Sequence, residues 1–172
     1  MCRISGISRK GKVQSVEKWS MTIHRLFSKD PNDEEENVTQ NIYVFRFILF
    51  CIIVYSFEML LNSVDIFIVD KTIFTRGYVT GCLFAAVYVL ILLHLGLEHP
   101  LTKYVSITAV SLIIMAASVS LTYHMIIIIM MPIIIAGMYT SKQLSIYTFV
   151  LSVLSIIIST YAGSYYGVCD AN

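Results

Sequence analysis

The last apolar stretch of the chain carries the clearest chemical pattern. Ser141, Ser145, Thr148, Ser152, Ser155 and Ser159 recur at steps of four, three, four, three and four. Such steps keep pace with the helical turn, so the hydroxyls share one helix face. In lipid, a face of small hydroxyls lets backbones approach closely and offers interhelical hydrogen bonds; the same face could line a polar cavity or translocation path. Packing explains the stripe without any ligand, and the stripe is predicted to lie buried against other helices. Gly77, Gly81 and Ala85, each four apart, form a second ridge of small residues that supports close helix crossing, more often within one bundle than between subunits.

Ionisable residues inside apolar runs are costly in a bilayer and mark sites by default. Here they are Arg46, Glu58 and His94. Arg46 lies about one turn into its run and can snorkel to headgroups. Glu58 is near the other end of the same run, with Asp65 and Asp70 beyond it, and a contact with a ligand or with Lys71 or Arg76 is its functional reading. His94 and Glu98 stand four apart, with His99 following, a spacing that can hold a metal on a helix. Gly96 and Pro100 argue instead that the helix ends there, which makes the group an interfacial loop. No phosphate-cradling glycine loop, HExxH, nucleophile elbow or paired catalytic carboxylates occur, so no catalytic residue, cofactor or metal site is assigned and the chain is not expected to be an enzyme. Cys2, Cys51, Cys82 and Cys169 show no CxxC or CxxxC spacing. Cys51 and Cys82, set in apolar runs, read as small hydrophobes.

The elements that must position these residues follow from composition. Over 172 residues, 57% are hydrophobic and 13% charged, about half the charge of a soluble chain. The surplus apolar mass needs lipid as its solvent. An all-α, polytopic transmembrane bundle of about five spans is predicted, with spans near 42–62, 78–97, 101–121, 124–139 and 143–163. The fourth is short; Tyr123 and Tyr139 can anchor it at the two interfaces, while a re-entrant segment broken at Pro132 is the alternative.

Residues 1–40 form a polar tail ahead of the bundle of 41–172. Seven of the twelve Lys and Arg residues precede residue 30, and five of the eleven acids fall between Asp30 and Glu36. Within the tail, Val16, Trp19, Ile23, Leu26 and Phe27 recur at helical spacing, with Lys12, Lys18, Arg25 and Lys29 elsewhere on the wheel, a pattern suited to a helix on an anionic leaflet. A cytoplasmic tail without fixed structure is the alternative. Asp30 and Pro31, followed by acids, resemble a helix start. The NVT at Asn37 is a glycosylation sequon that a cytoplasmic tail would leave inert. No apolar stretch sits early enough for a cleaved signal, so the first span is itself the insertion signal. Counting the tail with Lys103 and Lys142 against Lys71 and Arg76, the positive charge favours a cytoplasmic N-terminus and an external C-terminus in the plasma membrane. The net charge of +1 gives no reason to expect nucleic acid.

From about Gln40 onward the chain resembles the multi-helix membrane sensor regions that precede the catalytic domain in bacterial GGDEF-type diguanylate cyclases and related histidine kinases. The likeness rests on HMIIIIMMPIIIAGMYTSKQLSIYTFVLSVLS, a short Pro-bearing span, a turn and a long Ser-rich span, followed by YYGVCDAN. Neither a GGDEF motif nor a kinase core is present. The resemblance implies a sensor or signalling module without its output domain, working through a homodimer or a partner signalling protein, or forming part of a longer signalling protein. Two other readings stand beside it. One is the substrate-binding membrane subunit of a vitamin-type transporter, which would usually show six spans and little tail; the other is a non-catalytic structural membrane protein.

Overall fold

The computed structural model describes residues 19–27, 36–66, 70–121, 128 and 130–165, and among these the regular structure is all helical. The helices are α1 (19–27), α2 (Glu36–Ser63), α3 (Lys71–Leu95), α4 (Thr102–Leu121), α5 (Met131–Gly137) and α6 (Lys142–Tyr165). Four of them, α2, α3, α4 and α6, are long and apolar enough to cross a membrane. Their apolar residues run around the whole helix, as lipid on the outer faces permits.

Local chemistry sets the ends. α3 starts seven residues before the span expected at 78–97, because the Asp70 carboxylate accepts the N–H groups of Thr72 and Ile73 at 2.9 and 3.0 Å. It stops at Gly96, whose φ of 88° suits a residue without a Cβ. α2 is already helical at Glu36, within the acidic segment and ahead of its apolar run. In α5, Pro132 sits in the first turn, where its missing N–H has no helical partner to lose. Pro132 thus stands at the start of this helix. The span expected at 124–139 is represented among the described residues chiefly by α5, whose seven residues rise only about 10 Å. The expected helix start at Asp30–Pro31, the anchor Tyr123 and the segment from Tyr166 onward lie outside the described residues.

α4 is the central helix. Half of its membrane-length window is buried, against 17–28% for the other three, and it packs on α2, α3, α5 and α6. Ser106, Ala109, Ser111 and Ala116 are buried along it beside Ile107, Val110, Ile113 and Ile114. Alternating small and branched residues let neighbours approach while the branched side chains fill the gaps. α2 and α3 meet over Tyr55, whose ring packs edge to face on Phe74 and Tyr78 at 5.3 and 5.4 Å.

One end of the bundle, the near end, gathers the start of α2, the α3–α4 turn, the α5–α6 turn and α1. α4 and α6 both set out from it: Tyr147, in the second turn of α6, packs edge to face on Tyr104 at 5.4 Å and exchanges a 2.7 Å hydrogen bond with Thr108. The opposite, far end holds the α2–α3 connection, where Lys71 pairs with Asp65 at 2.7 Å.

Candidate functional site

At the near end, two consecutive amides of α2 tie together three separate parts of the chain. Asn41, 2% exposed, donates through Nδ2 to the Leu97 carbonyl at 2.8 Å and accepts through Oδ1 from the Tyr139 hydroxyl at 2.7 Å. Gln40 donates through Nε2 to the Met138 carbonyl at 2.6 Å and to Glu36 at 3.3 Å. Deeper in, the Tyr88 and Ser106 hydroxyls share a hydrogen bond of 3.1 Å, and Thr102 donates to the Gly96 carbonyl at 2.8 Å. Apart from the exposed Glu36 at the rim, the groups are amides, phenols and hydroxyls, so they exchange hydrogen bonds without placing net charge inside the bundle. Around them lie Ile42, Leu92, Leu97 and Ile107, all buried. A polar knot in such surroundings is costly to leave half-made, which favours one arrangement of α2, the α3–α4 turn and the α5–α6 turn.

The hydroxyl stripe of α6 enters the bundle with a shifted register. Thr148, Ser152, Ser155 and Ser159 are buried, but Ser145 is exposed and donates back to the Ser141 carbonyl at 3.1 Å. The buried line instead runs Leu144, Thr148, Ser152, Ser155, Ser159 and Gly163. Its mean step is longer than 3.6 residues, so the contact face drifts around α6, as happens where small residues let helices cross in the right-handed sense. Ser145, expected on the packing face, lies off it. Thr148 satisfies its hydroxyl on the Leu144 carbonyl at 2.7 Å. Among the described residues the buried hydroxyl oxygens of Ser111, Ser152 and Ser159 meet no hydrogen-bond partner, so the small volume of these side chains, rather than a bond, is their contribution to the contact.

The small ridge of α3 divides its work. Gly81 is buried against the Tyr55 ring, with a Cβ position 3.5 Å from it, and Ala85 packs on the core. Gly77 lines an open groove between α3 and α4. Glu58 is half-buried on α2, and no ion pair joins it to Lys71 or Arg76 among the described residues; Lys71 uses Asp65 instead. Among the described residues, no group of His, Cys, Asp and Glu side chains gathers as metal ligands. Glu98 pairs with Arg25 at 2.7 Å, and His99 accepts the Leu101 N–H through Nδ1 at 3.2 Å.

The chain matches no protein-family model, and no curated protein or solved structure is found to be similar to it.

Sequence reasoning passed over Gln40, Asn41, Tyr88 and Ser106 and took Tyr139 for an interfacial anchor, although Tyr139 is 4% exposed and hydrogen-bonded inside. Their partners lie 56 and 98 residues away from Asn41 along the chain. The one signal available was two adjacent amides at the head of an apolar run, and amides are common at such boundaries.

α1 completes the near end. Leu26 is buried, Arg46 donates through Nε to the Leu26 carbonyl at 3.3 Å, and Phe27 meets Phe45 edge to face at 6.0 Å. Trp19, Met21, Ile23 and Phe27 stay exposed on the same short helix. α1 thus touches the bundle through Leu26, Phe27 and Arg25 while Trp19, Ile23 and much of Phe27 remain exposed on one face.

Proposed function

We propose that the chain is a membrane-embedded signalling module that reads the state of the bilayer surface, or a ligand, through α1 and its bundle and passes the change to a partner protein or a second copy of itself. The observation that carries this reading is the coupling of α1. Its exposed Trp19, Ile23 and Phe27 fit the headgroup boundary, where aromatic and aliphatic side chains of surface helices bury. Its other contacts, Leu26, Arg25 with Glu98, and Arg46 with the Leu26 carbonyl, reach α2 and the α3–α4 turn. Movement of α1 in the interface would therefore load the same end of the bundle that the Asn41 knot holds together. The basic residues ahead of α1 would add attraction to anionic lipid, each contributing about 1 kcal/mol near such a surface.

In this reading the near end is cytoplasmic, the chain crosses five times and the C-terminus is external. The departure of α4 and α6 from the same end supports a short fourth crossing and so five in all, because the chain between them has to return there. The module carries no catalytic activity of its own.

The test is to place spin labels on α1 at Ser20 and on the α3–α4 turn in the full-length chain, reconstituted in discs of zwitterionic or anionic phospholipid. The distance between labels, or its spread, is expected to change with lipid charge. Identical distributions in both lipids, with labels responsive to detergent unfolding, would remove α1 as the reading element.

A further inference from the structure

We propose that the groove between α3 and α4 toward the far end is a lipid site, holding part of one acyl chain of an anionic phospholipid whose phosphate pairs with Arg76. This goes beyond the signalling reading and requires only that the helices lie in a bilayer. The groove has a volume of about 210 Å³ and is lined by Gly77 and Phe84 of α3 and by Met115, Ala116 and Val119 of α4. α3 and α4 pack extensively elsewhere, and here the glycine leaves room between them. Apart from Arg76 and the Thr80 hydroxyl, which donates to the Arg76 carbonyl at 2.8 Å, the groove is lined by apolar residues, and lying sideways in a membrane helix pair it is open to acyl chains.

Charge accounting then selects the headgroup. Arg76 is exposed, lines the same groove, and lies five residues into α3, about 8 Å from its start. That depth brings a guanidinium within reach of the headgroup layer. The acids nearest in sequence are already engaged: Asp65 holds Lys71 at 2.7 Å, and Asp70 caps α3 through the Thr72 and Ile73 N–H groups. Among the described residues no carboxylate lies within ion-pairing distance of Arg76, so its counter-charge is available to a lipid phosphate. The planar guanidinium matches two phosphate oxygens at once.

The site is tested by native mass spectrometry of the full-length chain released from discs of mixed phosphatidylglycerol and phosphatidylcholine. The wild type should retain one phospholipid, with phosphatidylglycerol favoured about five-fold, the ratio equivalent to about 1 kcal/mol for one basic residue at an anionic headgroup. Arg76→Gln should keep the bound lipid but bring the headgroup ratio close to one. Gly77→Leu and, from the opposite wall, Val119→Trp should lose the retained lipid of either kind, with thermal melting showing that each variant is folded. If neither groove-filling variant folds, the Arg76→Gln headgroup ratio decides alone. The proposal is overturned if the wild type shows no headgroup preference, if the preference survives Arg76→Gln, or if a folded, filled groove still retains lipid. Loss of the preference on adding millimolar inorganic phosphate would overturn it too, since the cation would then serve a free anion. A chain that fails to insert into discs would overturn the membrane reading beneath it.

Discussion

Replacing Asn41 should loosen the near end by an amount that can be worked out from its two bonds. Asn41→Leu removes the donor to the Leu97 carbonyl and the acceptor for the Tyr139 hydroxyl, made at 2.8 and 2.7 Å, and leaves both partners buried. Hydrogen bonds between membrane helices contribute about 0.6 kcal/mol each on average and about 1.7 at most. The loss is therefore about 1–3 kcal/mol. Tyr139→Phe removes only the second bond and should cost about 0.6–1.7 kcal/mol. The decisive quantity is the coupling. In a double-mutant cycle the Asn41–Tyr139 term should appear as a deficit from additivity of the same size as that single bond, because it is lost once and not twice. Reversible unfolding in mixed micelles of mild detergent and dodecyl sulfate, followed by far-ultraviolet circular dichroism, measures all four corners. Coupling below about 0.3 kcal/mol would mean that the two side chains act independently, and the knot would no longer explain how three turns are held together.

Three further outcomes are expected. Ser152→Leu should destabilise the bundle by about 1–3 kcal/mol through overpacking of a residue that is 1% exposed, whereas Val150→Leu, on the exposed face, should be nearly neutral; equal effects in the same unfolding assay would sink the packing role of the stripe. Glu98→Lys should raise the proteolytic susceptibility of α1 in discs, and adding Arg25→Glu should restore protection. Because the pair is largely exposed, global stability should barely move, and a swap that restores nothing would show that the pair does not position α1. Reporter fusions at Met1 and Asn172 should place the first inside and the second outside; both on one side would leave an even number of crossings.

How much of this was legible in the sequence depends on the range of the force involved. Apolar runs long enough for lipid declare themselves in a single stretch, so the helical class and four long helices could be read from composition and length. Caps are nearly as local: Asp70 and Gly96 set the ends of α3 through bonds to residues two to four positions away, yet an apolar window placed its start too late because Lys71 and Arg76 interrupt the run. The hydroxyl stripe was visible as a period, but the period alone assumes a partner running straight along the helix. The buried line instead includes Leu144 and Gly163 and leaves Ser145 outside. The Asn41 knot and the groove beside Arg76 had no counterpart in the pattern. Each needs residues far apart in the chain to arrive at one place, and only the packing of α2, α3, α4 and the α5–α6 turn decides which polar atoms meet and where a glycine leaves a gap.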